Sequence, residues 1–351
     1  MHQLSQDDLQ RTVDLHDQYG RDGAMEALGK CKSTINERLA QARAKGIVPG
    51  GGERPFQVED LPKELPPTED IVERRKEQFK HKRAAKEARK LIDVKVTIDG
   101  PFGVAHMGDP HVDDDGTDIG LLERHGDIIN ATEGLFAANV GDHQNNWIGR
   151  LARLWAQQST SAAEAWALVE WHLRRNQWIY LINGNHDCWS GAGDPVSWMM
   201  RQQPGVFENH GARLSLQTPS GREFRINARH DFKGYSQWNT AHGPARAAQQ
   251  GWRDHVLACG HLHISGYQVV KCPMSSLISH IMRIASYKIF DRFADEKGLP
   301  DQNIFMCPVT IFDPDYGDDD PRAVTTLFDP EEAAEYLTWK RSKWEQGKRH
   351  D

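Results

Sequence analysis

Residues 102–111 read FGVAHMGDPH, an apolar run of strand length that ends in Gly-Asp-Pro-His. Three more short apolar runs are followed directly by polar residues, at 135–140, 178–182 and 256–259. Short apolar runs bounded by turn residues predict buried strands. Helical patterns lie between them, at 118–133 and 150–175. Strands that alternate with helices predict a layered α/β body.

Five polar clusters accompany this body. They are GDPH at 108–111, GD at 141–142 with Asn145 and Asn146 after it, GNHD at 184–187, HD at 230–231 and GHLH at 260–263. Each alone has an ordinary explanation, since Gly-Asp makes turns and alternate residues of a strand share a face. Together they place two Asp, one Asn and four His at strand ends, where open α/β sheets bind ligands. Such mixed oxygen and imidazole ligands suit Mn, Fe or Zn, and the lack of Cys argues against a structural zinc site.

The ordered pattern D-x-H, GD, GNHD, H, GHxH, spanning about residues 95–270, resembles the calcineurin-like metallophosphoesterase superfamily. The resemblance implies a four-layer α/β (α+β) fold, a double β-sandwich flanked by helices, with two divalent ions at one end. Carried over by position, one ion would be held by Asp109, His111, Asp142 and His263, and the other by Asp142, Asn185, His230 and His261. Mn is the expected metal, and Fe, Zn, Ni or Mg also fit.

The resemblance also implies the roles of two residues that are not ligands. His186 would lie beside the scissile phosphate, and Asp187 would orient His186 through a hydrogen bond. Two ions about 3.5–4 Å apart clamp both sides of an in-line displacement, and a bridging hydroxide would attack with help from His186. Residues 141–147, GDHQNNW, depart from the acidic residue and arginine of the serine/threonine phosphatase branch. The pattern is more similar to the phosphodiesterase and Mre11/SbcD-type nuclease branches.

The front of the chain predicts three short helices. Apolar residues recur at helical spacing up to Gly20, a second helix at 24–28 ends at Gly29, and a third at 35–44 has Ser33 or Thr34 as its cap. This layout is that of a small all-α helix-turn-helix. Its third helix would present Lys32, Ser33, Asn36, Arg38 and Arg43 to DNA, while Ala24, Leu28, Gly29, Ile35 and Leu39 would be buried. The alternative is a helical hairpin that only packs or forms a homo-oligomer.

Charge divides the chain at about residue 92. Residues 1–92 carry 18 Lys and Arg against 16 Asp and Glu, whereas the rest carries 25 against 34. Prolines and glycines predict a linker that includes Pro49, Pro55 and Pro62, and a helix with nine basic residues follows at 72–90. We therefore expect a DNA-binding module at 1–47, a linker and basic helix at 48–92, and a catalytic domain at 93–351. A helix-turn-helix before such a domain is similar to phage- or prophage-encoded metallophosphoesterases.

Three further sets of residues are weaker candidates. Asp113, Asp114 and Asp115 are expected in a solvated loop. Lys233, Tyr235, Asn239 and His242 follow the fourth cluster and are expected in a loop that could line a substrate groove. Arg283, Tyr287 and Lys288 are expected on a helix that faces phosphate.

These patterns predict a metal-dependent phosphodiesterase that cleaves nucleic acid, namely a DNA nuclease. The alternatives are a phosphodiesterase or phosphomonoesterase for small molecules such as cyclic nucleotides, and a non-catalytic DNA-binding phage protein. No apolar run reaches the ~20 residues that span a bilayer, and the start lacks the pattern of a signal peptide. Five scattered Cys without a CxxC fit reduced thiols, so we expect a cytoplasmic protein without membrane contact.

Overall fold

The computed structural model describes residues 4–51, 65–188, 195–290 and 301–348, with 295, 296 and 298. It divides into two compact units, Met1–Glu77 and Gln78–Asp351. Of the predicted linker, Pro55 and Pro62 lie outside the described residues. Among the described residues, no helix combines the length and the apolar character needed to cross a membrane.

The first unit is built on two helices, α1 (Gln6–Leu28) and α2 (Lys32–Ala44). The predicted helix end at Gly20 is a kink within α1, where Gly20 has φ 69° and ψ −175°. The predicted stop at Gly29 is confirmed, and as a left-handed cap this residue is exposed rather than buried. The cap of α2 is Cys31, not Ser33 or Thr34.

A small apolar core joins α1 to α2. Its buried members are Leu9, Val13, Ala24, Ile35, Leu39 and Ala42. Lys32, Asn36 and Arg43 are exposed on α2, as expected, and Arg38 is half-buried. A short 3-10 helix follows at Pro49–Gly51, and the predicted basic helix is present as α3 (Thr68–Ala88), which crosses the boundary between the units.

The second unit contains two mixed sheets. Its described strands are β1 (Ile92–Lys95), β2 (Phe102–Met107), β3 (Leu135–Asn139), β4 (Trp178–Asn183), β5 (Val206–Asn209), β6 (Gly211–Gln217), β7 (Glu223–Arg229), β8 (Val256–Cys259), β9 (Gly266–Lys271), β10 (Ile278–Arg283), β11 (Val309–Phe312) and β12 (Val324–Leu327). Its described helices are α4 (Ile119–Ala131), α5 (Ala162–Arg175), α6 (Pro195–Met200), α7 (His242–Gln249) and α8 (Pro330–Lys348), with a 3-10 helix at Gly149–Gln157. The strand orders are β1-β6-β7-β8-β10-β9 and β12-β11-β2-β3-β4-β5.

The two sheets pack face to face. In β2, Phe102 and Val104 lie in the core between the sheets, whereas Ala105 and Met107 lie in a second core with α4, α5 and α8. This alternation follows from the two-residue period of a strand. The outer face of the other sheet packs on α7. The order of layers is thus helix, sheet, sheet, helix, which confirms the four-layer fold predicted from the sequence.

Five strands deliver the polar clusters to one region. In one sheet β2, β3 and β4 run parallel, and in the other β7 and β8 run parallel. The clusters begin within two residues of the carboxyl ends of these five strands. Because parallel strands end at the same edge of a sheet, the fold gathers residues that are up to 154 positions apart, from Asp109 to His263.

One predicted element is wrong. Arg283 is not on a helix: it is the last residue of β10, which pairs with β8 and β9. The segment ISHIMR has three apolar residues among six and buries polar side chains as well, so its pattern does not separate a strand from a helix.

Candidate metal centre

The first group of candidate ligands contains Asp109, His111 and His263. Their ligand atoms all lie within 4.8 Å of one another. His111 Nε2 and His263 Nε2 are 3.2 Å apart, and His263 Nε2 is 3.5 Å from Asp109 Oδ2. Asp109 and His111 are buried, and His263 is half-buried. The arrangement is that of three ligands facing one point from two different sheets.

The second group contains Asp142, His230 and His261, again within 4.8 Å of one another. His230 Nε2 lies 3.1 Å from Asp142 Oδ2 and 3.1 Å from His261 Nδ1. Asn185 joins this group, because its Oδ1 is 2.9 Å from His230 Nε2. The backbone carbonyl of Val140 accepts a hydrogen bond from His230 Nδ1, at 3.0 Å, which leaves Nε2 to face the other ligands.

Asp142 connects the two groups. Its Oδ2 is 3.1 Å from His230 in the second group and 3.9 Å from His111, a member of the first. All seven residues that the sequence predicts as ligands are therefore brought together, and the two groups are linked by a third, which consists of His111, Asp142 and His186. Their roles as ligands remain a prediction.

The residues fit a divalent cation. Asp109 is fully buried, and among the described residues its Oδ1 has no hydrogen-bond partner. Burial alone would lower the pKa of His230, but the carboxylates of Asp142 and Asp109 raise it to about 10. The two buried carboxylates thus demand a positive charge beside them. Oxygen and imidazole ligands in this number are the set that Mn, Fe and Zn prefer.

Four of the seven candidate ligands have left-handed backbone. The φ angles are 39° for His111, 51° for Asp142, 72° for His261 and 54° for His263. Left-handed conformations of residues other than glycine cost on the order of 1–3 kcal/mol each and concentrate at functional sites, where the surrounding structure enforces them. Here the strained turns aim both His side chains of the GHLH cluster into the centre.

His186 lies at the edge of the centre. Its Nε2 is 3.9 Å from Asp142 Oδ2, and its backbone N–H donates to Asp142 Oδ1 at 2.9 Å. Its Nδ1 donates to the carbonyl of Asn145 at 2.6 Å. This assigns Nε2 as the nitrogen that faces the site. Burial lowers the pKa of His186.

The structure corrects the prediction that Asp187 orients the His186 ring through a hydrogen bond. The Asp187 carboxylate accepts instead from the backbone N–H groups of His143, at 3.0 Å, and Gly184, at 2.9 Å. Asp187 thus ties the turn after β4 to the turn after β3. The residue that orients the His186 ring is Asn145, through its backbone carbonyl.

Asn145 is itself held by the acidic loop after the first cluster. Asp113 accepts from the Asn145 backbone N–H at 2.7 Å, and Asp114 accepts from its side-chain amide at 2.8 Å. Asp113 is buried and Asp114 is half-buried, so of the three residues expected in a solvated loop only Asp115 is exposed. Lys288 is not on the expected helix: it forms an isolated β-bridge with Thr117 and an ion pair with Asp114 at 3.1 Å, and it thereby supports this loop.

The remaining weak candidates are also placed. Arg283 and Tyr287 are fully buried, so the prediction that they face phosphate is wrong. Lys233, Tyr235 and Asn239 are exposed in the loop after β7, as predicted. His242, which was expected in the same loop, begins α7.

Gly260 lies against the carboxylate of Asp109, and its substitution tests the first group of candidate ligands. A Cβ at Gly260 would lie 2.2 Å from Asp109 Oδ1, so Gly260→Ala must displace that carboxylate. We expect the variant to bind the first metal ion about 10- to 100-fold more weakly, as when support of a ligand is lost. Titration with Mn²⁺ followed by calorimetry measures this. The control is Gly347→Ala, whose Cβ meets no atom within 4 Å, and equal affinity of both variants would contradict the assignment.

No protein-family model matches the chain, and no curated protein matches its sequence. The solved structure of the calcineurin-like phosphoesterase YfkN from Bacillus subtilis matches 71% of this chain and 97% of that one, with 9% identity and a TM-score of 0.35. Zn²⁺-bound Vps29 from Entamoeba histolytica matches 64% and 97%, with 15% identity and a TM-score of 0.32.

A further solved structure is the nuclease MPE from Pseudomonas putida. It matches 69% of this chain and 89% of that one, with 15% identity and a TM-score of 0.30. At these identities and TM-scores, the likenesses assign no activity to this chain. Any assignment rests on the residues of the metal centre.

Proposed function

We propose that this chain is a dinuclear metal-dependent phosphodiesterase that hydrolyses nucleic acid, as a DNA nuclease. The observation that carries the proposal is the convergence of seven candidate ligands from five strand ends into two groups that are linked through Asp142 and His111. In this proposal the two groups bind two divalent ions, with Mn²⁺ the expected one. Two such ions supply Lewis-acid activation of the phosphoryl group and a water nucleophile at neutral pH.

The protein's own residues then have separate tasks. Asn185 Oδ1 and His261 Nδ1 both contact His230 Nε2, at 2.9 and 3.1 Å, and these contacts position the residues of the second group relative to one another. The Asn145 carbonyl fixes the proton of His186 on Nδ1, so that Nε2 is the atom that exchanges a proton with the reacting group. Burial of His111, Asp109 and Asp142 excludes water from the back of the site. Low local dielectric strengthens each charge interaction there.

The nucleic-acid substrate is supported by charge. The chain after residue 92 carries nine more acidic than basic residues, which makes it a poor surface for DNA by itself. Lys32, Asn36 and Arg43 are exposed on α2, and the described part of the chain has a second basic helix in α3. We propose that these helices hold DNA and thereby raise its concentration at the active site.

The experiment that tests the activity compares four substrates in Mn²⁺. Duplex DNA, single-stranded DNA, a cyclic nucleotide and a chromogenic phosphodiester are each incubated with the full chain. Cleavage of either DNA supports the proposal. Turnover of the cyclic nucleotide or the chromogenic diester without DNA cleavage would favour a small-molecule phosphodiesterase, and no turnover with any metal would favour a non-catalytic protein.

The front helices have a separate test, in the double variant Lys32→Ala/Arg43→Ala. If both side chains contact phosphates, duplex binding should weaken, and the slope of log affinity against log salt should become shallower by about 2. Fluorescence anisotropy at several salt concentrations measures this. The matched control is Arg11→Ala/Arg21→Ala, which removes two exposed charges from α1. Equal effects of the two double variants would reject α2 as the DNA-binding helix.

A further inference from the structure

The loop after β7 exposes two aromatic side chains. Trp238 is 94% exposed and Tyr235 is 66% exposed, and Lys233 is exposed on the same loop. Large aromatic side chains bury 150–250 Å² when they pack, so leaving one in water forgoes a large hydrophobic contribution. Exposed aromatic side chains that accompany a basic residue are characteristic of surfaces that bind nucleic-acid strands.

Arg283 fastens this loop to the metal centre. Its guanidinium is fully buried and donates to Asp231 Oδ1 at 3.1 Å and to the Thr240 carbonyl at 3.1 Å, near the two ends of the loop. It also donates to the Gly260 carbonyl at 2.6 Å. Asp231 directly follows the candidate ligand His230, and Gly260 directly precedes His261. One side chain thus connects both ends of the loop to two candidate ligands.

The base of the loop is packed. Phe232 is 5% exposed and lies under the guanidinium of Arg229, whose carbon is 5.7 Å from the ring centroid. A Cβ at Gly243 would lie 2.2 Å from the Phe232 carbonyl, which shows how closely α7 approaches the loop. Trp238 is two residues from Thr240, so their Cα atoms are at most about 7.6 Å apart. The aromatic side chains therefore project from a base that is fixed beside the candidate ligands.

We propose that residues 231–240 form the base-stacking surface of this enzyme, and that its ligand is a single-stranded segment of nucleic acid. Trp238 and Tyr235 would stack on unpaired bases, and Lys233 would contact a phosphate. Bases in a duplex are already stacked and paired, whereas every unpaired base offers a face to an aromatic ring. The inference rests on the proposed function and specifies which form of substrate reaches the metal centre.

The test is the binding of a single-stranded oligonucleotide to Trp238→Ala, with EDTA present so that the strand is not cleaved. Stacking on one base predicts affinity about 5- to 100-fold weaker than that of the unsubstituted protein. Trp339→Ala, which removes a half-exposed tryptophan from α8, is the matched control and should bind unchanged. An unchanged melting temperature shows that Trp238→Ala is folded.

An abasic oligonucleotide separates stacking from other effects. The unsubstituted protein should bind the abasic strand more weakly than the strand with bases, and Trp238→Ala should show a much smaller difference between them. Equal loss on both strands would overturn the stacking role. If the unsubstituted protein neither binds nor cleaves any strand, the proposed function fails. If it cleaves strands and Trp238→Ala binds them as well as the unsubstituted protein does, only this inference fails.

Discussion

Asp142→Asn should remove both metal ions and abolish turnover of every phosphodiester. Asp142 Oδ2 lies 3.1 Å from His230 Nε2 and 3.9 Å from His111 Nε2, so one atom faces both groups. An amide keeps an acceptor for the His186 backbone N–H, which bonds Oδ1 at 2.9 Å. It loses the negative charge and places N–H donors where the shared oxygen was. Metal analysis after gel filtration checks the result.

Asp113→Asn is the matched control for this substitution. Asp113 is also a buried carboxylate near the centre, but its Oδ1 accepts the Asn145 backbone N–H and it belongs to neither ligand group. The control should retain both ions. Full metal occupancy in Asp142→Asn would refute the bridging role, and loss of only one ion would restrict Asp142 to one group.

The positions of the candidate ligands were predictable because they follow strand ends. Four apolar runs, each followed by a glycine and a polar residue, identify both the strand and the edge where it stops. His230 follows β7, EFRINAR, which is not an apolar run, so its assignment came from the family resemblance. The four-layer fold was predictable from the same runs together with the family resemblance. Neither inference required knowledge of side-chain contacts.

The supporting residues were not predictable, because their contacts depend on three-dimensional packing. Arg283 ends the segment ISHIMR, and arginine is normally at the protein surface. Only the structure shows that Asp231 and two carbonyls surround it. The orientation of His186 was predicted from the neighbouring Asp187, but a backbone carbonyl performs that task. Backbone groups leave no signature in the amino-acid sequence.

His186→Ala should keep both ions and lose about 10²- to 10⁴-fold in DNA cleavage, the usual contribution of one acid–base group. His186 is not among the seven predicted ligands, although its ring lies within 4.8 Å of ligand atoms of His111 and Asp142 and its Nε2 is 3.9 Å from Asp142 Oδ2. Metal analysis therefore decides between two roles. Loss of an ion from His186→Ala would make His186 a ligand, and unchanged cleavage would remove it from the mechanism.

The size of the loss should depend on the leaving group. DNA cleavage expels an alkoxide, which needs a proton, whereas a nitrophenyl diester expels a stabilised phenolate that leaves without one. If His186 Nε2 delivers that proton, His186→Ala should be impaired far more on DNA than on the nitrophenyl diester. If His186 instead only stabilises charge on the phosphoryl oxygens, both substrates should lose rate by similar factors. The ratio of the two losses thus distinguishes proton transfer by the Asn145-oriented ring from simple electrostatic stabilisation.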